Sequence, residues 1–524
     1  MFLNFGQHKG YNKRGVVMII ERSSNWREDF MKRVQQDGPW DSWTLYNKSY
    51  EIEKVNLIPE FSGLQAPKFL TNIQLLPHQV EAAQTVIEKM NGKAILADEV
   101  GLGKTIEAGL IMKEYMIRGI VKKVLILVPA SLQNQWVTEL NMRFFIPAIA
   151  YRKNTPIESY DVVVMSMDTA KKSPHREKIY EQDYDMIIID EAHKLKNHKT
   201  QIYEFVQSLK KKFCLLLTAT PIQNDVFEIF YLVSLLKPGH LGNYEAFQAS
   251  FSATKNSIDG EKYLKELVNQ VMVRNRRQDT GIEWTSRKVE TIPIQFTSEE
   301  RDVYDMIGEL KTVSSVFSSS FTMVTLLKEM CSSKEATFLT LNKMLQKCIT
   351  KEESDYIEEI LAKLMKLEIN SKAEKVIEII EKANDKVIIF TEYRATQAYL
   401  QWYLYTKGIT SVLFNGKFSK SKRDWVKQLF RERDQVLIAT ESGGEGINLQ
   451  FCHHVINYDL PWNPMKLEQR IGRVHRLGQE EDVHIYNLAI ENTIEQKILD
   501  LLGSKIDVFE KVVGDLDDIL ARKA

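Results

Sequence analysis

Ala97-Asp98-Glu99-Val100-Gly101-Leu102-Gly103-Lys104-Thr105 is the stretch from which the rest of the chain can be read. An apolar run from Lys93 to Leu96 continues into Ala97 and reads as a short buried strand. Past Thr105, the residues Ile106, Leu110, Ile111, Tyr115 and Met116 recur as the apolar face of a helix. A glycine-rich turn between strand and helix lets backbone N–H groups face inward on a phosphate chain. The helix N-terminus adds its positive dipole end, and Lys104 adds a full charge. Thr105 then carries a hydroxyl in the position that meets Mg²⁺ in the pattern GxxxxGK[ST]. Asp98 stands where that pattern has glycine. Aspartate tolerates the left-handed backbone region better than most residues, so the turn survives. For the loop taken alone, a surface turn that happens to contain Gly-Lys-Thr stays open as an alternative.

The chain has 524 residues, too many for one ordinary core, and two to four domains are expected. Hydrophobic residues make up 44% and charged residues 27%, the balance of a soluble globular protein. Lys+Arg and Asp+Glu both number 70, so a nucleic-acid surface must be a local groove rather than a basic molecule. Cys214, Cys331, Cys348 and Cys452 are far apart and show no zinc spacing, which predicts a reducing compartment. No apolar run reaches the roughly 18 residues that span a bilayer, and the N-terminus lacks a secretory layout. The expectation is a cytoplasmic, nucleoid-associated protein without a membrane partner, and a monomer.

Residues 1–70 form a mixed segment with a strand at 16–20 and a helix capped by Asn25 and Glu28, carrying Trp26, Phe30 and Val34. Packing onto the following domain is its expected role. From Leu75-Leu76-Pro77-His78-Gln79 a helix runs through Ile87. The amide of Gln79, upstream of the phosphate loop, can read both hydrogen-bonding edges of adenine. Strand-like runs follow at 124–128, 162–165, 186–189 and 213–217, separated by helical text. That rhythm predicts a mainly parallel sheet with helices on both faces and functional groups at the strands' carboxyl ends. Ser166, the box Asp190-Glu191-Ala192-His193 and the stretch Thr218-Ala219-Thr220 fall there. An acidic pair at a strand tip suits Asp190 to Mg²⁺ and Glu191 to orienting and deprotonating a water.

Residues 241–300 contain Arg274-Asn275-Arg276-Arg277, readable as an interlobe or phosphate contact or equally as a solvated face. Residues 301–370 have helical periodicity, clearest from Asp355 to Leu367, with a Ser/Thr-rich loop or helix–helix turn at 312–322. A second alternating pattern starts near Lys375, with strand-like runs at 387–390, 411–414, 436–439, 455–457 and 483–488 and no second phosphate loop. It carries Thr440-Glu441-Ser442-Gly443-Gly444-Glu445-Gly446-Ile447-Asn448-Leu449 and then Gln469-Arg470-Ile471-Gly472-Arg473-Val474-His475-Arg476. Arg473 and Arg476 are three apart, so on a helix both guanidiniums point the same way. That suits a charge clamp reaching a γ-phosphate from the opposite lobe, since the planar fork of arginine binds phosphate oxygens bidentately.

Taken in order, Gln79, the loop at 98–105, Pro129-Ala130, the acidic box at 190–193, 218–220, 443–449 and 469–476 resemble the core of helicase superfamily two. The text Asp98-Glu99-Val100-Gly101-Leu102-Gly103-Lys104-Thr105, Thr218-Ala219-Thr220-Pro221-Ile222-Gln223-Asn224 and Arg476-Leu477-Gly478-Gln479 narrows this to the Swi/Snf branch. The stretch 443–451 with Asp459-Leu460-Pro461-Trp462-Asn463-Pro464 looks most like the bacterial RapA (HepA)-like subgroup. The resemblance covers roughly residues 70–510. It implies an α/β fold of two RecA-like lobes, parallel sheets with helices on both faces, joined by a helical connector. The implied division is an accessory segment 1–70, an ATP-binding lobe 71–240, a connector with accessory helices 241–370, and a second lobe with terminal helices 371–524.

The resemblance further implies a nucleic-acid-stimulated ATPase using ATP and Mg²⁺. Lys104, Asp190, Glu191, Arg473 and Arg476 are its catalytic set, with Thr105 and Asp190 on the metal. Gln79, Asp98, Glu99, Val100, Gly101, Leu102, Gly103, Lys104, Thr105 and Gln469 line the nucleotide. Ser166, Thr391, Gly416, Thr440 and Gly446 touch the nucleic-acid backbone or couple it to ATP, and Thr218 and Thr220 link the two. The implied activity is movement along duplex DNA with remodelling of protein–nucleic-acid complexes, RNA polymerase or another DNA-bound protein being the partner. Residues 1–70 are too short for the large polymerase-binding region of RapA. A strand-separating DNA or RNA helicase is the alternative; it would need a wedge hairpin, and no stretch reads clearly as one.

Overall fold

A computed structural model describes residues 9–11, 17–19, 26–38, 42–56, 63–153, 155–222, 227–248, 258–313, 320–416, 418–440, 449–513 and 519–520. The chain divides into two compact units, residues 1–62 and 63–524. In the first, β1 (Lys9–Tyr11) and β2 (Val17–Ile19) pair antiparallel. Two helices follow, Trp26–Gln35 and Trp43–Asn56. The expected helix around Phe30 is present, with Glu28 and Asp29 in its first turn and Lys32 and Arg33 in its last, each sign matched to the dipole. Its expected cap, Asn25, lies outside the described residues.

The second unit contains two parallel sheets. The first is built from β3 (Lys93–Leu96), β4 (Val124–Val128), β5 (Ala148–Ala150), β6 (Val162–Ser166), β7 (Tyr184–Asp190), β8 (Lys211–Leu217) and β9 (Met272–Val273). Its order is β5-β6-β4-β7-β8-β3-β9, every pair parallel. The second is built from β10 (Arg287–Ile294), β11 (Val387–Thr391), β12 (Ser411–Phe414), β13 (Val436–Thr440), β14 (His454–Asn457) and β15 (Val483–Ile490). Its order is β10-β15-β14-β11-β13-β12, again all parallel.

Strands buried on both faces need apolar residues throughout, which is why these runs are nearly continuous rather than alternating. The alternation shows in which layer each side chain enters. Val387, Ile389, Val436 and Ile438 pack into one layer of the second sheet, while Ile388, Phe390, Leu437 and Ala439 pack into the other. Helices Ser320–Ser332, Lys334–Leu345 and Lys351–Lys366 cover the first of these layers through Leu326, Met330, Leu341, Ile357, Ile360 and Leu364. The stretch 241–370 thus supplies accessory helices and also one edge strand to each sheet, β9 and β10.

Candidate functional site

Strand register brings the predicted groups to one edge. Leu217 pairs with Leu96 on one side and with Asp190 on the other. The phosphate loop after β3, the threonines after β8 and the acidic box ending β7 therefore leave the sheet at the same level. Glycine serves the loop at two positions. Gly101 and Gly103 have φ of 98° and 97°, the left-handed region that favours glycine. Gly103 is the N-cap of the helix Lys104–Ile117, and a Cβ there would stand 2.5 Å from Gln79 Nε2.

Lys104 Nζ donates to the carbonyls of Asp98 (2.5 Å) and Glu99 (3.1 Å) within its own loop. Burial lowers the Lys104 pKa, against the opposing pull of Asp98, Glu107, Glu191 and Asp190. Among the described residues the hydrogen bonds of Lys104 go to loop carbonyls, although four carboxylates act on it by charge. Gln79 is buried, its Nε2 donating to Leu102 O (2.9 Å) and its Oε1 accepting from Leu76 N (3.1 Å). Adenine recognition through that amide requires these contacts to be exchanged.

Asp190 Oδ1 accepts from Glu191 N (2.8 Å) and Oδ2 from Trp136 Nε1 (2.8 Å). Loss of water around Asp190, with the charge of Glu191 added, pushes its pKa up to about 6, against Trp136 and Lys104. Burial works the same way on Glu191, but His193, whose Nδ1 lies 3.1 Å from Glu191 Oε2, and the positive charges of Arg473 and Lys104 hold its pKa below the usual value. Two carboxylates enclosed together favour a cation between them and the incoming phosphates, and an all-oxygen set with Thr105 fits Mg²⁺. Glu191 takes φ of 53°, which turns its side chain out of strand direction.

The second sheet contributes the segment after helix Pro464–Ile471, which Asn463 caps by accepting from Met465 N. Here one expectation is corrected. Arg473 and Arg476 are not on a helix: it ends at Ile471, and both arginines stand on consecutive turns beyond it. Arg476 nonetheless faces the loop, and the charge of Arg473 acts on Glu191. Arg476 Nε is tied back to Gly472 O (2.6 Å), and a Cβ on Gly101 would lie 3.4 Å from Arg476 Cγ. Burial, then the charge of Arg473, lowers the Arg476 pKa to about 10, with Glu139 opposing. Gly472 lies so close to Val100 that a Cβ would approach its Cγ1 to within van der Waals overlap. Gln469 is half-buried on the same helix.

The cluster at 274–277 splits between the open readings. Asn275 N and Nδ2 hold the Asp98 carboxylate (2.8, 3.1 and 2.9 Å). Arg274 Nη2 lies 3.9 Å from Glu99 Oε1. Arg277, 2% exposed, donates from Nη1 to Glu99 Oε2 (3.3 Å) and Glu468 Oε1 (3.4 Å), and from Nη2 to Val100 O (2.5 Å). Arg276 instead turns outward to Asp279 (2.7 Å). Glu468 is gripped a second time by Arg287 (2.6 and 2.8 Å), whose Nε donates to His475 Nδ1 (2.9 Å). Burial opposes the charge of Glu468, but Arg287 and Arg277 overcome it and hold its pKa down at about 2. Trp136, Arg287 and Glu468 were not singled out from sequence, and Arg277 was read only as one member of its basic run. Only the basic run at 274–277 carried a signal.

The residues assigned to nucleic acid are mostly engaged internally. Ser166 Oγ meets Thr169 Oγ1 (2.8 Å) and caps the turn Met167–Ala170. Thr218 and Thr220 are buried, with Thr220 N donating to Thr218 Oγ1 (3.0 Å). Thr391 Oγ1 donates to Asp459 Oδ2 (2.6 Å), and Thr391 pairs with Thr440 across β11 and β13. Gly416 O accepts from Arg423 Nη2 (2.7 Å). Gly446, with the rest of 441–448, and Gln223-Asn224 lie outside the described residues.

The sequence profile of the SNF2-related domain matches residues 11–354, and that of the helicase conserved C-terminal domain matches 371–478. The uncharacterized ATP-dependent helicase YqhH of Bacillus subtilis (strain 168) is 60% identical over 502 residues, covering 95% of this chain and 90% of its own length. RNA polymerase-associated protein RapA of Actinobacillus pleuropneumoniae serotype 3 (strain JL03) is 29% identical over 493 residues, 83% of this chain and 50% of RapA. RapA of Vibrio campbellii is 30% identical over 466 residues, 80% of this chain and 48% of that protein. The chain thus spans about half the length of its RapA relatives. The Sulfolobus solfataricus SWI2/SNF2 ATPase core, solved with dsDNA and as the core domain, overlaps at TM-scores of 0.41 and 0.40 with 21% and 24% identity. Those overlaps cover 87% and 88% of this chain and 95% and 96% of the Sulfolobus chains.

Proposed function

The chain belongs to the SNF2-related family of helicase-like ATPases, and from that membership we propose that it moves along duplex DNA and displaces or remodels what is bound there. The observation that supports the ATP-driven part is the seating of Gly472 and Arg476, beyond the second sheet, against Val100 and Gly101 of the phosphate loop. In this reading Lys104 releases its loop carbonyls to hold the β- and γ-phosphates, and the loop N–H groups and the helix Lys104–Ile117 support them. Thr105 and Asp190 would hold Mg²⁺, which would supply neutralisation of the phosphate charge. Glu191 accepts the proton of the attacking water, with His193 and Arg473 keeping its carboxylate ionised beforehand. Arg473 and Arg476 stabilise the charge that develops on the transferred group. Loss of the phosphate bridge lets the two sheets part, and alternating grip turns each cycle into a step.

Gln79, Asp98, Glu99, Val100, Leu102 and Gln469 shape the nucleotide pocket in the same proposal. Ser166, Thr391, Gly416, Thr440 and Gly446 contact the nucleic-acid backbone or its coupling elements, with Thr218 and Thr220 between the sites. Residues 71–240 and 371–524 are the two lobes and 241–370 their connector. With a net charge of zero, binding rests on phosphate contacts that read no bases, so affinity falls steeply with salt and is independent of sequence. The RapA relatives are named as associated with RNA polymerase, and a DNA-bound polymerase is one roadblock such a motor would meet. No helix among the described residues is long and apolar enough to cross a membrane, and the proposed setting is the nucleoid.

The test measures ATP hydrolysis without nucleic acid and with single strands, duplex DNA and RNA, then triplex displacement and fork unwinding on the same preparation. Duplex stimulation with triplex displacement supports the proposal. Efficient fork unwinding without triplex displacement moves the assignment to a strand-separating helicase.

A further inference from the structure

We infer that Arg277 is a positioning residue that couples the phosphate loop to the arginine turns at 473–476. The inference rests on the roles proposed above for those arginines and asks what holds them in place. A single guanidinium meets Glu99 and Val100 in the loop and Glu468 on the helix that leads straight into Gly472. Its backbone N–H also donates to Glu99 Oε2 (3.0 Å). The side chain is fixed by the Trp284 ring, 5.4 Å from its guanidinium carbon, and is fully enclosed. From Glu468 the chain of contacts continues through Arg287 to His475, the residue just before Arg476, whose Nε2 lies 2.9 Å from Thr285 O. Phosphate loop and arginine turns are therefore linked by one continuous path of buried, charge-assisted bonds.

The geometry of the fork is what makes the link. Its two terminal nitrogens reach partners on both sides of the junction at once, which a lysine ammonium on a flexible stem cannot do at fixed angles. Gly472 leaves no room for a Cβ against the Val100 side chain, so the two segments are closely packed there. A shift of Glu99 and Val100, as when the loop closes on phosphate, must move either Arg277 or Glu468. The arginine turns are then set by the state of the loop, and a displacement of about 1 Å at such groups costs roughly 10²-fold in rate.

Arg277→Lys keeps charge and burial while losing the fork. Four measurements on the full chain test it: affinity for a fluorescent ATP analogue, ATP turnover, melting temperature, and amide exchange of residues 472–478 without nucleotide. Affinity is expected to stay close to that of the parent while turnover drops by about 10²-fold. Exchange of 472–478 is expected to rise about ten- to a hundredfold, the factor that losing a charge-assisted hydrogen bond corresponds to. In an Arg473→Ala/Arg476→Ala background, Arg277→Lys should add almost nothing to the loss of turnover, because residues acting as one unit are not additive. Glu468→Gln probes the link from its other end and should give the same pattern, so a poorly folding Arg277→Lys leaves the inference testable.

Normal turnover in Arg277→Lys, or a loss fully additive with the arginine pair, overturns the coupling. So does a loss that merely follows the melted fraction. If the arginine pair is itself dispensable for turnover, the proposed role of Arg473 and Arg476 fails first. Exchange at 472–478 separates the two cases, because it reports the link without hydrolysis.

Discussion

Two lysines set among carboxylates, one at each sheet, differ in their partners: one lies in the proposed nucleotide site and the other is a strut. Lys372 on the second sheet's side is 1% exposed and pairs with Glu495 at 2.6 Å, with Asp459 at 3.9 Å. Asp459 in turn takes Thr391, Ser332 and the Glu392 N–H, and Glu495 takes the Ile490 N–H. The partners of that lysine are carboxylates, both fully buried with it. Lys104 sits half-buried among acids too, but its hydrogen bonds go to two loop carbonyls. Carbonyls are weaker partners than carboxylates, so they can be given up to a phosphate chain. A charge is functional where its present partners are replaceable.

The sharpest break of this comparison comes from the groups that face Lys104 across the junction. Arg476→Ala and Arg473→Ala should each leave nucleotide binding nearly intact and cut hydrolysis by at least about 10³-fold, the scale of an arginine finger. Glu191→Gln should also bind ATP and fail to turn it over. Equilibrium binding alongside single-turnover hydrolysis decides both, and a fully active Arg476→Ala would show that the sheets do not close around ATP as proposed.

Exchanging the lysines in turn tests the strut. Lys372→Met leaves Glu495 and Asp459 enclosed without their cation and should destabilise the fold by about 3–5 kcal/mol. Lys104→Met should lower the melting temperature far less, since only loop carbonyls lose a donor, while ATP binding collapses. Thermal melts of the two variants with and without ATP give the answer. Equal melting temperatures would remove the distinction.

A smaller effect is expected from acid. Burial, then Arg287 and Arg277, lowers the His475 pKa to about 4, so folded His475 stays neutral where the unfolded side chain, with an ordinary value near 6.5, takes a proton. The folded state then binds fewer protons, and stability rises with pH through that window. Stability from His475 is full above about pH 6.5 and is lost as pH falls toward 4. Glu468, held at about 2 against burial by Arg287 and Arg277, adds a second loss below its ordinary value near 4.5. Melting temperature followed from pH 7 to 4 in parent and His475→Gln should show the upper loss only in the parent. An unchanged profile would mean that His475 does not carry the acid sensitivity of the junction.

Much of this was legible because it is local. The strands at 124–128, 387–390 and 436–439 announce themselves as contiguous apolar runs, since both faces of a parallel sheet are covered. The phosphate loop is readable because its glycines, lysine and threonine act within nine residues of one another. Edge strands were harder. Met272–Val273 is two residues long, and Arg287–Ile294 interleaves charges and carries Pro293, both tolerable because one side of each lies at a sheet edge.

From sequence alone came the two parallel-sheet bodies, the order of the motifs, and the groups gathered at strand tips. Tertiary structure alone decided what those groups touch. Arg277 reaches Glu99 across 178 positions and Glu468 across 191, and Trp136 reaches Asp190 across 54. No periodicity or spacing encodes such pairs, because they depend on how two separately folded sheets meet. The same holds for Arg473 and Arg476, which three-residue spacing put on one helix face. The helix stops at Ile471, and the arginines reach the loop because turns pinned by Glu468 and His475 aim them there.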